Sequence, residues 1–339
     1  MSRKLLFIIS FTLILLVGCS GNSNKKQIEK ETEKNNDELV EQFQENDVIS
    51  ESSGMIGYGF PDDSPDQYVY QGTAIEIPYY IENMGEVGEE NADVGLLLFV
   101  NGEPQPFSVG EAGENREEAV MQKFSLSPGE KKELILSFHP VSGKKGENIG
   151  VIPATIWNPD FLPKSKDKPN FGNCLQLGAN IPLTIQMKSD GKALYTHAET
   201  DAKLVDIPEE ILAAYEGTEG EDSYDILDNS VGFTIEPSEK NTRLLRAENG
   251  KADITMNLYG GKQVTDKITV FINNEPIVIN GGNYIKVDTK KGKMWQIKFS
   301  LDVSKYGESS TIYAVAMTSG KDYVVDDIYQ TSALLLVND

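Results

Sequence analysis

The chain is poor in the residues on which most enzyme chemistry depends. Its 339 residues include two histidines, His139 and His197, and two cysteines, Cys19 and Cys174. A histidine-based metal site or a Ser-His-Asp triad needs a well-placed imidazole, and neither "SFHPV" nor "LYTHAE" is a recognisable setting for one. The patterns HExxH, GxSxG and GxxxxGK[ST] are all missing, which removes the familiar metalloprotease, serine-hydrolase and phosphate-loop routes. Paired carboxylates can hydrolyse glycosides, but with 53 Asp plus Glu close pairs arise by chance, and the sequence reads as non-enzymatic. Positive charge is scarce as well: 31 Lys plus Arg leave a net charge of −22. Such a surface repels nucleic acid and anionic headgroups and favours cations or basic partners.

The N-terminus carries Arg3 and Lys4, an apolar run from Leu5 to Val17 broken by Ser10 and Thr12, then Gly18 and Cys19. This is the layout of a secretion signal, too short to span a bilayer comfortably and followed by no stop-transfer pattern. Leu16, Val17, Gly18 and Cys19 resemble the lipobox of bacterial lipoproteins. That resemblance implies cleavage of residues 1–18, diacylation of Cys19, and a protein held at the extracytoplasmic face of the bacterial cell membrane. Two acyl chains suffice for stable anchoring at ~0.8 kcal/mol per buried methylene. Cleavage takes away Arg3 and Lys4, leaving 29 basic residues against 53 acidic ones and a net charge of −24. It also leaves Cys174 without an intramolecular disulfide partner, so the fold must rest on its apolar core, which a chain of this length can supply.

Residues 19–55 form the expected tether. From residue 20 they are rich in Lys, Glu, Asn, Gln and Ser, with room for transient helix around Glu38 to Gln44. A flexible coil of this length would hold the folded part roughly 30 to 36 Å from its anchor.

From Gln71 the pattern has period two. Ile75, Ile77, Tyr79 and Ile81 alternate with Ala74, Glu76, Pro78 and Tyr80, and Val94, Leu96, Leu98 and Val100 alternate likewise. Leu134, Leu136 and Phe138, then Ile254, Met256 and Leu258, then Ile268, Val270 and Ile272, and Trp295, Ile297, Phe299 and Leu301 repeat the theme. Short alternating runs bounded by Gly, Pro, Asn and Asp predict half-buried strands, and turns about every ten residues predict antiparallel β-sandwiches.

The pattern also recurs on a larger scale. "FVNGEPQPF" at Phe99 to Phe107 meets "FINNEPIVI" at Phe271 to Ile279, an offset of 172 residues. "KFSL" occurs at Lys123 to Leu126 and at Lys298 to Leu301, "GEKKELILSF" (Gly129 to Phe138) falls near "GESSTIYAVA" (Gly307 to Ala316), and "ANIPLTIQM" answers "TSALLLVND". The ordered matches predict a duplicated domain. In both hairpins the Asn-Gly or Asn-Asn pair suits a two-residue turn with positive φ, and Pro104 and Pro276 suit an edge position. The expected division is therefore a first sandwich over 56–198, a connector over 199–228 and a second sandwich over 229–339. Within the connector, Pro208 before Glu209 and Glu210, then Ile211, Leu212 and Tyr215, with Gly217 as the stop, predict one short helix.

The stretch from Val69 to Phe161 contains "IPYYIENMGE", "LLLFVNGE" and "FSLSPGEKKELILSFHP". On these segments it resembles the bacterial Ig-like modules of cell-surface adhesion proteins. The resemblance implies extracellular binding or spacing and brings no catalytic residues with it.

Two kinds of candidate site follow. "WNPDFLPKSKDKPNFGNC", from Trp157 to Cys174, has no equivalent of similar length in the second half. Trp157, Phe161 and Phe171 combined with Lys164, Lys166 and Lys168 suit stacking on a glycan or anchoring an envelope protein, since long end loops carry binding in such scaffolds. For calcium, which takes several oxygen ligands, the acidic clusters are Asp62, Asp63 and Asp66, and Glu219, Glu221, Asp222, Asp225 and Asp228. No other cofactor is indicated. Cys174 has no His or Arg next to it in sequence to activate the thiol and reads as a small buried apolar residue.

Overall fold

In the computed structural model the described residues are 56–85, 90–110, 117–215, 227, 230–320 and 328–338. The expected signal peptide, Cys19, the tether, and Glu219, Glu221, Asp222, Asp225 and Asp228 lie outside them.

The first sandwich follows from its alternating strands. β1 (Ile56–Gly59), β2 (Gln67–Tyr70), β3 (Ile75–Asn83), β4 (Ala92–Val100), β5 (Glu103–Pro104), β6 (Ser108–Gly110), β7 (Met121–Leu126), β8 (Lys131–Phe138), β9 (Asn148–Trp157), β10 (Leu177–Ala179) and β11 (Leu183–Met187) build two sheets. One has the order β1-β3-β8-β6; the other runs β2-β11-β9-β4-β5, with β10 added to β9 and β7 to β4. Inward-facing Ile77, Tyr79, Ile81, Leu96, Leu98 and Leu136 meet between the sheets. Each such fully buried side chain contributes roughly 1.5–3 kcal/mol.

The second sandwich repeats this plan with β12 (Asp201–Asp206), the helix α1 (Glu209–Ala213), β13 (Val231–Ile235), β14 (Leu244–Ala247), β15 (Lys251–Gly260), β16 (Thr265–Ile272), β17 (Glu275–Pro276), β18 (Ile285–Asp288), β19 (Lys293–Asp302), β20 (Ser309–Thr318), β21 (Ile328–Gln330) and β22 (Leu334–Asn338). Its sheets are β12-β19-β15-β13 and β14-β22-β20-β16-β17, with β18 on β16 and β21 on β20. The molecule is thus nearly all β, two Ig-like sandwiches in tandem. Pairing is antiparallel except where β2 meets β11 and β14 meets β22, which run parallel.

Three sequence expectations need correction. β12 lies inside the expected connector yet pairs with β19 from Asp201↔Lys298 to Asp206↔Lys293, and the chain already joins the second sandwich at Ala198, whose N–H donates to the Tyr284 carbonyl. α1 follows Pro208 as expected, and Ile211, Leu212 and Tyr215 pack with Tyr259 and Met294 of the second sandwich. The connector is therefore part of that domain, because β19 offers an open edge and α1 an apolar face. Two of the four repeat matches also fall on strands that are not counterparts. The first "KFSL" is on β7, whose counterpart is β18, whereas the second is on β19, the counterpart of β8; "GEKKELILSF" is β8 but "GESSTIYAVA" enters β20, the counterpart of β9.

The third correction concerns the faces of the seven-stranded sheets. β4 and β20 are buried at nearly every position rather than at every second one. While Leu96 and Leu98 face their own core, Leu97 and Phe99 face the other domain, and in β20 Ile312 and Ala314 alternate with Tyr313 and Val315 in the same way. The two seven-stranded sheets pack face to face, so the molecule is four sheets deep, with a third apolar core between the domains.

Candidate functional site

The seam between the domains is built from the outer faces of β4 and β9 on one side and β16, β20 and β22 on the other. Leu97, Phe99, Ile152, Ala154 and Ile156 meet Phe271, Tyr313, Val315, Met317 and Leu335. Phe99 and Phe271 approach edge to face at 6.4 Å, and Phe271 stacks on Tyr313 at 5.2 Å and 10°. Such pairs add about 0.5–1.5 kcal/mol beyond their area.

At the margins of this core the two "NxEP" hairpins reach across in opposite directions. Asn101 and Gly102, at φ 51° and 80°, make the turn between β4 and β5, and Asn273 and Asn274, at 51° and 67°, make the one between β16 and β17. All four take the left-handed region that this turn demands and that Asn and Gly adopt most readily. Asn101 Oδ1 accepts the Gly320 N–H at 2.8 Å, while Asn274 Nδ2 donates to the Pro159 carbonyl at 2.6 Å. Tyr313 donates its hydroxyl proton to Asn274 Oδ1 at 3.1 Å, so both ends of that buried amide are satisfied. Gly102, at φ 80°, sits where a Cβ would come 3.1 Å from the Met317 carbonyl oxygen and 3.3 Å from Lys267 Cβ, so a side chain there would strain the turn and crowd the second domain.

Just past the first turn, Glu103 Oε1 accepts from Lys267 Nζ at 2.5 Å across the seam, with the two side chains 4% and 10% exposed. Lys267 Nζ also lies 5.0 Å from the centre of the Tyr284 ring. Burial pushes the Glu103 carboxyl above the usual range, and Lys267 and Ser142 hold it back only in part. Tyr195 is pushed up to about 12 by burial first, then by the negative charges of Glu103 and Glu275. The counterpart of Glu103 is Glu275, which is exposed, and the counterpart of Lys267 is Gly95, where a Cβ would come 2.6 Å from Met121 Sδ. The ion pair thus exists in one of the two related positions.

The loop from Trp157 to Cys174 is committed to the same seam only in part. Trp157 ends β9 opposite Val94 and packs against the first core. Asn158 at φ 43° turns the chain, and Pro159 presents its carbonyl to Asn274. Phe171 is fully buried in the seam, 6.1 Å from Phe161 and 5.9 Å from the Arg243 guanidinium. As a contact for an external ligand Phe171 must therefore be withdrawn, since its ring is already enclosed between the domains. Phe161 is half-buried against the seam, and Lys164, Lys166 and Lys168 are exposed. Lys166 reaches Glu308 of the second domain at 3.3 Å, with both side chains well exposed. Cys174 is buried and its thiol is pushed up by burial, as a structural cysteine requires.

His139 Nδ1 lies 3.4 Å from the Tyr70 hydroxyl, and His197 Nδ1 accepts the Lys286 N–H at 3.3 Å beside the Tyr284 ring. Asp62, Asp63 and Asp66 are exposed, and among the described residues no three His, Cys, Asp or Glu converge as metal ligands would. Sequence reading missed Lys267, Tyr313 and Gln330, whose side-chain amide bonds both Leu175 O and Leu177 N across the seam.

No protein-family model matches the chain, and no curated protein matches it in sequence. Among solved structures, the Salmonella enterica SafA pilin in complex with the SafB chaperone is similar at 11% identity over 84% of this chain and 96% of that one, with a TM-score of 0.23. Fibronectin(III)-like modules of Clostridium thermocellum CbhA are similar at 8% identity over 84% and 93%, with a TM-score of 0.19. The collagen adhesin of S. aureus gives 8% identity over 84% and 92%, again with a TM-score of 0.19. Likeness of this size says nothing about a ligand or partner.

Proposed function

We propose that this chain is a non-enzymatic envelope protein, anchored through lipid on Cys19, whose two sandwiches act as one rigid body in binding or assembly with other envelope components. The observation that carries the reading is the apolar core shared by the two seven-stranded sheets, closed at its margins by the reciprocal hairpins. A chain of freely hinged modules would leave those sheet faces polar throughout, whereas here they share a buried apolar cluster. The acidic surface fits a partner that is basic or a cation, and gives no purchase to nucleic acid.

Calorimetry of the lipid-free protein tests the rigid-body premise. One transition with equal calorimetric and van't Hoff enthalpies is expected, and two resolved transitions would overturn it. Fatty-acid labelling in a bacterial host should be lost in Cys19→Ser; a Cys19→Ser variant that remains labelled removes the anchor from the reading.

A second reading keeps the exposed tip of the 157–174 loop as a contact for a glycan or envelope protein through Lys164, Lys166 and Lys168, with half-buried Phe161 beneath them. Melting-temperature shifts against a panel of envelope glycans, with and without calcium, decide it, because any ligand of the native state raises that temperature. If a shift survives replacement of all three lysines by Gln, the tip is not the contact.

A further inference from the structure

Superposing the plans of the two domains exposes a place that is filled in one and open in the other. In the first domain the chain leaving the β5 edge is clamped by Gln105, whose Nε2 donates to the His139 carbonyl at 3.0 Å and whose Oε1 accepts the Val141 N–H at 2.9 Å. It then crosses to the other sheet, where β6 pairs with the C-terminal end of β8: Ser108↔Ser137, Val109↔Leu136, Gly110↔Ile135. In the second domain Ile277 stands 172 residues on from Gln105, and the chain turns back at once, with Ile279 and Gly282 exchanging backbone hydrogen bonds. No counterpart of β6 forms from that stretch. The far edge of β19 is instead served by β12, which pairs with residues 293–298 and then departs towards Asn280, whose Nδ2 donates to the Glu199 carbonyl.

Residues 299–302 of β19 are paired with β15 on one side. Among the described residues nothing pairs with their other edge. Beside that edge lies a groove of about 380 Å³ lined by Ile272, Ile277, Val278, Leu301, Asp302 and Tyr306, among others. Val278 is 60% exposed at its rim and offers an apolar side chain beside the open strand.

The geometry points to a strand-addition site: the groove and the open β19 edge accept an extended segment of a partner polypeptide, in the place β6 takes in the first domain. The first domain also indicates the chemistry of the occupant. Val109 packs inward beside Leu136 while small Ser108 and Gly110 flank it, so the incoming segment should carry one branched apolar residue between small ones. Main-chain hydrogen bonds to residues 299–302 would supply the pairing, and the pocket over Leu301 and Ile277 the selectivity. This inference is independent of the lipid anchor and of the lysine-rich loop, and it stands if either of those fails.

A synthetic peptide of residues 104–110 is a direct probe. Added to the full chain, it should slow hydrogen exchange at the outward-pointing amides among Phe299–Asp302, and Val278→Asp should weaken its binding by about tenfold or more, which corresponds to ~1.4 kcal/mol. Because Val278 is exposed, the variant should melt at the wild-type temperature. No slowing at millimolar peptide, or binding indifferent to Val278→Asp, overturns the proposal. It also falls if those amides are already protected in the free monomer, or become protected only as the chain dimerises, since the edge then has another occupant.

Discussion

In the hairpin of the first domain the residue after the turn, Glu103, is buried against Lys267; in the hairpin of the second, Glu275 faces solvent and Gly95 stands where its lysine would be. The two hairpins share a turn type and a register, yet they latch the seam by different chemistry. One uses a desolvated ion pair and a glycine laid flat on its neighbour, the other a buried amide, Asn274, held by Tyr313 and Pro159. The repeated plan supplies two equivalent surfaces that could pair in more than one way; in a pairing of two first domains Glu103 would face Gly95 and find no cation, whereas a pairing of two second domains would still set Glu275 against Lys267. A buried ion pair adds little net stability, so its clearest effect is to disfavour a pairing of two first domains, which would leave Glu103 buried without a partner.

The largest expected effect comes from breaking the pair on one side. Lys267→Met leaves Glu103 buried without its partner and should cost about 3–5 kcal/mol in chemical denaturation, whereas Glu275→Gln should stay within about 0.5 kcal/mol. Replacing both partners, Glu103→Met with Lys267→Met, should be neutral or stabilising by about 1–4 kcal/mol. A double variant as damaged as the single one would show that the pair is a true source of stability.

The same double variant gives the reference for pH. Glu103 has a folded-state pKa raised by burial, so its ionised form opposes folding. Its contribution is most favourable below the unfolded value and declines as pH rises through the folded one. Stability of the wild type relative to the double variant should therefore increase as pH falls from neutral towards the ordinary carboxylate range. The opposite slope would mean that Lys267 outweighs desolvation.

The second latch should be weaker. Asn274→Ala leaves the Pro159 carbonyl and the Tyr313 hydroxyl without their partner and should cost about 1–3 kcal/mol. Smaller still is Lys166→Ala, which removes the exposed contact with Glu308 and should change stability by less than about 1 kcal/mol, vanishing in high salt. A larger loss would mark the loop tip as part of the seam proper.

Much of the architecture was legible because strand periodicity and turn chemistry are local. The "NxEP" hairpins fell in register at an offset of 172, since Asn and Gly at positive φ and proline at an edge leave few other arrangements. The "KFSL" match misled, because an amphipathic tetrapeptide fits any half-buried strand and carries no record of its neighbours. β12, with the sequence "DAKLVD", is mostly exposed and has no strand signature; it is ordered by the β19 edge that receives it. The seam did leave a sign in "LLLFV" and "IYAVAM", apolar at consecutive positions. That is the mark of strands buried on both faces, although half-burial was the expectation for the first of them. The sign was readable, but not the identity of the covering face.

For the candidate site the division is sharper. The sequence located the Trp157 to Cys174 loop as the place where the copies differ, and the tertiary structure turned Phe171 inward. An aromatic residue in a long loop reads the same whether it faces a ligand or a second domain. By itself the sequence determined two β-sandwiches, their hairpin turns and an acidic surface, because φ preferences, alternation and charge act within a few residues. Only the tertiary structure decided that the sheets meet face to face, that Glu103 finds Lys267 164 residues away, and that the edge of β19 is left open. Each of these depends on which distant surfaces exclude water together, which short-range pattern cannot specify.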